Sequence, residues 1–158
     1  MKQTLSVFLL LTVSVLASAA PVRPRPEIMG ISLDMSRDAA LARLKAIGNL
    51  EKEDRKRQEV WAVKDSRISH LLVGYDADNR VRYVTALART DGPRIRYQEI
   101  ANLKSAQQSH TQNNHKFTWE VAARRGHTGY LLIARGHDPL YLDSYSVKKL
   151  GGEEEEID

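Results

Sequence analysis

Two strand-forming blocks, near Ser69–Ala88 and Phe117–Lys148, constrain this chain more than any other feature. In the first, Leu71, Val73 and Tyr75 share one parity, then turn chemistry (Asp76-Ala77-Asp78-Asn79-Arg80), then Val81, Tyr83, Thr85 and Leu87. A period of two on both sides of a turn predicts antiparallel strands. Glu59–Val63, a β-rich run, makes a third strand of this meander. In the second block, Phe117–Ala122, Tyr130–Arg135 and Leu140–Lys148 are three more strands, separated by Gly126-His127-Thr128-Gly129 and Gly136-His137-Asp138-Pro139.

Helical spacing precedes each block. Ala40, Leu41, Leu44 and Ile47 form one apolar face from Ser36 to Ile47, with Ser36 as cap, Asp38 in the first turn and Gly48-Asn49 as stop. A weaker helix is expected over Arg94–Ala106, on Ile95, Ile100, Leu103 and Ala106. Leu50–Gln58, strongly charged, reads as a short exposed helix or a loop, and Ser105–Asn114, polar, as a loop. The predicted fold class is therefore α+β. It has two layers: an antiparallel sheet of about five to six strands, and one or two helices packed on one face. The order helix, three strands, helix, three strands suggests two repeats, with Trp61 and Trp119 in the first strand of each.

The ends read differently. Lys2, the apolar stretch Leu5–Leu16 and Ala17-Ser18-Ala19 make a secretory signal over residues 1–19, cleaved after Ala19. About a dozen apolar residues is short of the roughly twenty needed to span a bilayer, so no transmembrane segment is expected after cleavage. Pro21, Pro24 and Pro26 make residues 20–27 an extended linker. One domain then fills residues 28–150, and 151–158 is an acidic tail ending Glu153-Glu154-Glu155-Glu156-Ile157-Asp158. The expected location is the periplasm or the extracellular space. With no cysteine, disulfides, thiol chemistry and lipoprotein processing at this signal are excluded.

Of 158 residues, 24 are Lys or Arg and 20 are Asp or Glu. The tail takes five of the acids and the signal one of the bases. The body is therefore clearly basic and suited to anionic partners such as lipid headgroups or glycans. The pairs Arg94/Arg96 and Arg124/Arg125 are the candidate basic patch, Lys148/Lys149 being a third pair. Nucleic acid is not an expected partner of an exported chain.

Catalytic signatures are absent from the sequence: there is no G-x-S-x-G elbow, Walker loop or G-x-G-x-x-G, and no cofactor is implied. The five histidines, His70, His110, His115, His127 and His137, lack the four-residue spacing that puts two ligands on one helix face. The aromatics Trp61, Tyr75, Tyr83, Trp119, Tyr130, Tyr141 and Tyr145 fall almost entirely on predicted strands. If one sheet face stays open, they are the candidate binding surface. The leading expectation is a non-catalytic binding module. The alternatives are a secreted enzyme inhibitor presenting Asp91–Arg96 or Ser105–Asn114, and a small hydrolase or metal-dependent enzyme.

The run Gly30-Ile31-Ser32-Leu33-Asp34-Met35-Ser36, followed by Leu41, Leu44 and Gly48, resembles the entry to a known module. It is similar to the SmpA/OmlA (BamE-like) envelope proteins and the fold-related β-lactamase-inhibitor-protein-like repeats, over roughly Gly30–Ala88. Asp34 stands where such turns usually carry glycine. The resemblance implies a two-layer α/β fold and a protein-binding role in the bacterial envelope, with another envelope protein as partner.

Overall fold

The computed structural model describes residues 22–54 and 57–151. The signal segment and the acidic residues Glu153–Asp158 lie outside these. The first half opens with a small hairpin, β1 (Glu27–Ile28) and β2 (Ile31–Ser32), then helix α1 (Arg37–Ile47). Four strands follow: β3 (Gly48–Asp54), β4 (Gln58–Val63), β5 (Ile68–Tyr75) and β6 (Val81–Ala88). The second half has β7 (Ile95–Arg96), the short helix α2 (Tyr97–Ile100) and a 3-10 turn (Leu103–Ser105). It ends with β8 (Gln107–Thr111), β9 (Asn114–Val121), β10 (Tyr130–Gly136), β11 (Tyr141–Leu142) and β12 (Ser144–Lys149).

Eight strands form one antiparallel sheet in the order β3-β4-β5-β6-β12-β10-β9-β8. Each half is a four-stranded meander, and the two meet last strand to last strand across the β6–β12 ladder, where Val84 opposes Val147. The expectation of a two-layer α+β fold with five or six strands is thereby overturned: the described chain is mostly strand. So is the three-strand repeat, since each meander has four strands and Trp61 and Trp119 lie on the second.

The miscounted strands have a common cause. The charged run over Leu50–Gln58 and the polar run over Ser105–Asn114, neither of them read as strand, supply the outermost strands β3 and β8. All five side chains of β8 are exposed. An edge strand pairs through its backbone on one side only, so polar and charged side chains are compatible with it and discourage further pairing. The helix expected over Arg94–Ala106 shrinks to four residues plus a 3-10 turn, because Tyr97 and Ala101 are buried without a continuous apolar stripe. Leu140–Lys148 divides at Asp143 into β11 and β12.

α1 forms where its spacing predicts. Ser36 accepts a hydrogen bond from the Ala39 N–H at 3.4 Å, Asp38 sits at the positive end, and Ala40 and Leu44 are buried. α1, the β1–β2 hairpin, β7, α2 and the 3-10 turn pack on one sheet face, over a core that includes Trp61, Leu71, Val73, Val84, Trp119 and Leu132. Met29, Gly30 and Asp34 bend the entry with positive φ, Asp34 at 62°. Asp is among the few residues with a side chain that tolerate this region.

Candidate binding face

Strand alternation divides the sheet cleanly, and the ladder registers fix which residues share a side. The covered side carries Glu59, Trp61, Leu71, Val73, Val84, Ala86, Val147, Leu132, Ala134, Phe117 and Trp119, all buried. The other side is made of three cross-strand rows. One runs Ser109, Lys116, Arg135, Ser144, Leu87, His70, Ala62. The next runs Gln107, Thr118, Ile133, Ser146, Thr85, Leu72, Val60, and the third Glu120, Leu131, Lys148, Tyr83, Gly74, Gln58.

No described helix or hairpin packs on this second side. Val60, Ala62, Leu72, Leu87, Leu131 and Ile133 are left half-buried, flush between their neighbours. At its centre Thr85 Oγ1 donates to Ser146 Oγ at 3.1 Å. Tyr83 lies flat over Gly74, where a Cβ would fall 2.1 Å from its ring, and its hydroxyl donates to Gln58. The Arg82 guanidinium sits 5.5 Å from the same ring.

Most of the aromatic set expected on an open face is on the covered one. Trp61, Tyr75, Trp119 and Tyr130 are buried there, and Tyr145 is partly buried on the same side. Tyr141, on β11, lies beneath Arg94 at 4.2 Å and Arg96 at 5.6 Å. Of the seven, only Tyr83 reaches the open side. Strand parity separates them: aromatics two apart share a face, and most share that of the helices. Their polar atoms are consumed locally. Trp119 Nε1 donates to the Asn102 carbonyl at 2.9 Å, and the Tyr130 hydroxyl to that of Pro24 at 2.9 Å. Burial, followed by the charge and hydrogen bond of Glu59, pushes the Tyr75 phenol well above its ordinary range; burial alone raises Tyr130.

The basic pairs do not form one patch. Arg94 and Arg96 lie by Tyr141 at the end of β10 that carries Gly136, and Arg94 pairs with Asp138 at 3.0 Å. The Asp138 carboxyl is held low by the Leu140 N–H, opposed by desolvation and aided by the hydrogen bond and charge of Arg94. Arg124 and Arg125 are exposed on the loop between β9 and β10, at the opposite end of those strands.

The titratable groups are dispersed. His70 Nε2 lies 3.1 Å from Glu51, His137 Nδ1 2.6 Å from Asp143, and the rings of His110 and His115 stack at 6.4 Å. Among the described residues no three His, Asp or Glu side chains are grouped to hold a metal. A cleft of about 550 Å³ between α1 and β3 has Glu59 and Trp61 in its wall. There the Glu59 carboxylate is fully engaged, by Arg37, Trp61 and Tyr75.

The aliphatic open-face residues of β4, β5 and β10 were not singled out from sequence, although a signal was present. Tyr130-Leu131-Leu132-Ile133-Ala134 is apolar at both parities, as is Leu71-Leu72-Val73. Such runs mark strands with apolar side chains on both faces. No family model, curated protein or solved structure matches the chain.

Proposed function

We propose that this chain is an exported, non-catalytic binding module of the bacterial envelope, and that it engages a partner protein through the uncovered face of its sheet. One observation carries this reading: six aliphatic side chains stand half-buried on a face that no described element covers. A water-facing antiparallel sheet normally carries polar side chains on that side. Aliphatic side chains gathered on an uncovered face mark an interaction site. The resemblance of the Gly30–Ser36 entry to envelope binding proteins points the same way, as does the signal-like N-terminus. The absence of a nucleophile motif and the scatter of the histidines favour binding over catalysis.

The test uses the full chain as affinity bait against solubilised envelope extract, at low and high salt. Leu72→Asn with Ile133→Asn alters the face without touching the buried core. A protein retained at both salts and lost from the double variant, with far-UV circular dichroism unchanged, supports the reading. Capture indifferent to the double variant overturns it.

A further inference from the structure

The open face carries an arrangement of charge that folding alone does not call for. Lys116 on β9 and Arg135 on β10 are directly opposed across their ladder, both on this face. Opposed residues of an antiparallel pair hold their Cβ atoms about 5 Å apart, and like charges so placed destabilise the sheet. Neither side chain has a hydrogen-bond or ion-pair partner among the described residues. Several other cations of the chain do have acidic partners: Arg37 with Glu59, Arg67 with Glu99, Arg94 with Asp138, Lys149 with Asp34.

The surroundings of the pair are neutral donors rather than acids. Ser109 opposes Lys116, and Ser144 opposes Arg135. The neighbouring Asp143 turns one carboxylate oxygen, Oδ2, to His137. Glu120 is on the same face, but four residues further along β9, about 13 Å away at strand rise. The adjoining row begins with Thr118 and Ile133, two residues along each strand, or about 7 Å.

We infer that this face takes an acidic segment of a protein. A carboxylate seats between Lys116 and Arg135, with Ser109 or Ser144 as a further donor, and an apolar side chain of the same segment lies on Ile133. Two residues of extended chain span the same distance as the gap between the rows, so the recognised pattern is acid–x–apolar. A sulfated glycan or a lipid headgroup would use the two cations but leave Ile133, in the adjoining row, untouched. That difference favours a protein. The inference rests on the binding-face reading above and names what that face recognises.

The test measures polarisation of a labelled synthetic peptide in which Glu and Ile alternate with Thr, against a counterpart with Gln for Glu. The full chain is expected to bind the Glu peptide about tenfold more tightly, since a charge-assisted hydrogen bond is worth at least that factor. Lys116→Gln with Arg135→Gln removes the preference, and Ile133→Asn weakens binding of both peptides. Lys116→Gln alone should raise the Tm by about 2 °C, because it relieves the opposed charges. Lys104→Gln, on the 3-10 turn, changes neither.

Equal binding of the two peptides, no binding of the Glu peptide, or a charge variant that binds like the wild type overturns the inference. So does binding to heparin or phosphatidylglycerol vesicles that needs Lys116 and Arg135 but not Ile133. In the extract experiment, capture that fails with Leu72→Asn/Ile133→Asn but survives Lys116→Gln/Arg135→Gln leaves the face a binding surface and removes only its acidic ligand. Capture indifferent to both removes both readings.

Discussion

Arg37, in the first turn of α1, closes on Glu59 of β4 through two nitrogens, Nη2 at 2.7 Å and Nε at 3.1 Å from the same carboxylate oxygen. The other oxygen accepts from Trp61 Nε1 and the Tyr75 hydroxyl, each at 3.0 Å. Glu59 is 2% exposed, and its four donors come from one helix and two strands. The carboxylate thus fixes where α1 sits on the sheet.

Removing either partner exposes the cost of the arrangement. Glu59→Ala leaves the Trp61 and Tyr75 donors buried without an acceptor, and Arg37→Ala leaves a buried carboxylate without its cation. Each should cost about 3 kcal/mol in urea unfolding. The double variant should cost less than the two losses combined, by about 1–3 kcal/mol, because the second removal relieves the first. Strict additivity in the double-mutant cycle would show that the pair does not act as a unit.

Asp34 makes a second anchor, between the entry turn and the last strand. It accepts from Lys149 Nζ at 2.6 Å and from the Thr128 hydroxyl at 2.5 Å. Burial works to raise its carboxyl, but the Lys149 and Thr128 hydrogen bonds and the charges of Lys149 and Arg80 outweigh it and hold it below the ordinary range. A carboxyl lowered in the folded state contributes stability that is complete above its unfolded value, about 3.9. That contribution is lost as pH falls through the folded value. Tm measured from neutral to acid pH should therefore fall below about pH 4, and Asp34→Asn should flatten part of that fall. Asn also tolerates the positive φ of this position, so Asp34→Ala should be less stable than Asp34→Asn at every pH.

Much of the fold was legible because its signals were local. α1 announced itself through Ser36, Asp38 and the spacing of Ala40 and Leu44, and the central strands through the alternation over Val81–Leu87 and the turn residues that bracket Tyr130–Arg135. β3 and β8 were not, since an edge strand such as Gln107–Thr111 pairs through its backbone and no apolar parity reports it. Which face stays open was illegible for a different reason. Parity shows that Trp119 and Phe117 share a side, but whether that side is covered depends on where α2 and the β1–β2 hairpin land. Lys116 and Arg135 lie 19 positions apart in sequence and became neighbours only through the register of β9 on β10.

The corner between α1 and β3 leaves no room for a side chain. Gly48 ends the helix in extended conformation, and a Cβ there would fall 2.2 Å from the Ala62 carbonyl oxygen. Backbone cannot move aside as a flexible side chain does, so Gly48→Ala should destabilise by about 1–3 kcal/mol. Gly126, on the exposed loop at φ 81°, has nothing within 4 Å of the same position. Gly126→Ala should cost only the strain of a left-handed residue, about 1 kcal/mol. Comparing the two variants in urea separates crowding from backbone preference, and equal losses would contradict the tight α1–β3 corner.

The tyrosines report on which sheet face is covered. Of the six, burial raises Tyr97, to about 12, with help from the Asp143 and Asp138 charges, and raises Tyr75, Tyr130 and Tyr145 as well. An unfolded phenol ionises near 10, so above that pH the unfolded chain loses protons that the folded chain keeps. Fewer protons on the unfolded state means that stability falls as pH rises through this range. Absorbance of phenolate followed with circular dichroism should therefore show an early partial rise. The remainder should appear together with loss of the fold. If instead all six tyrosines ionise near pH 10 with the sheet intact, the aromatic residues are not covered. The open face would then be the one that carries Trp61 and Trp119.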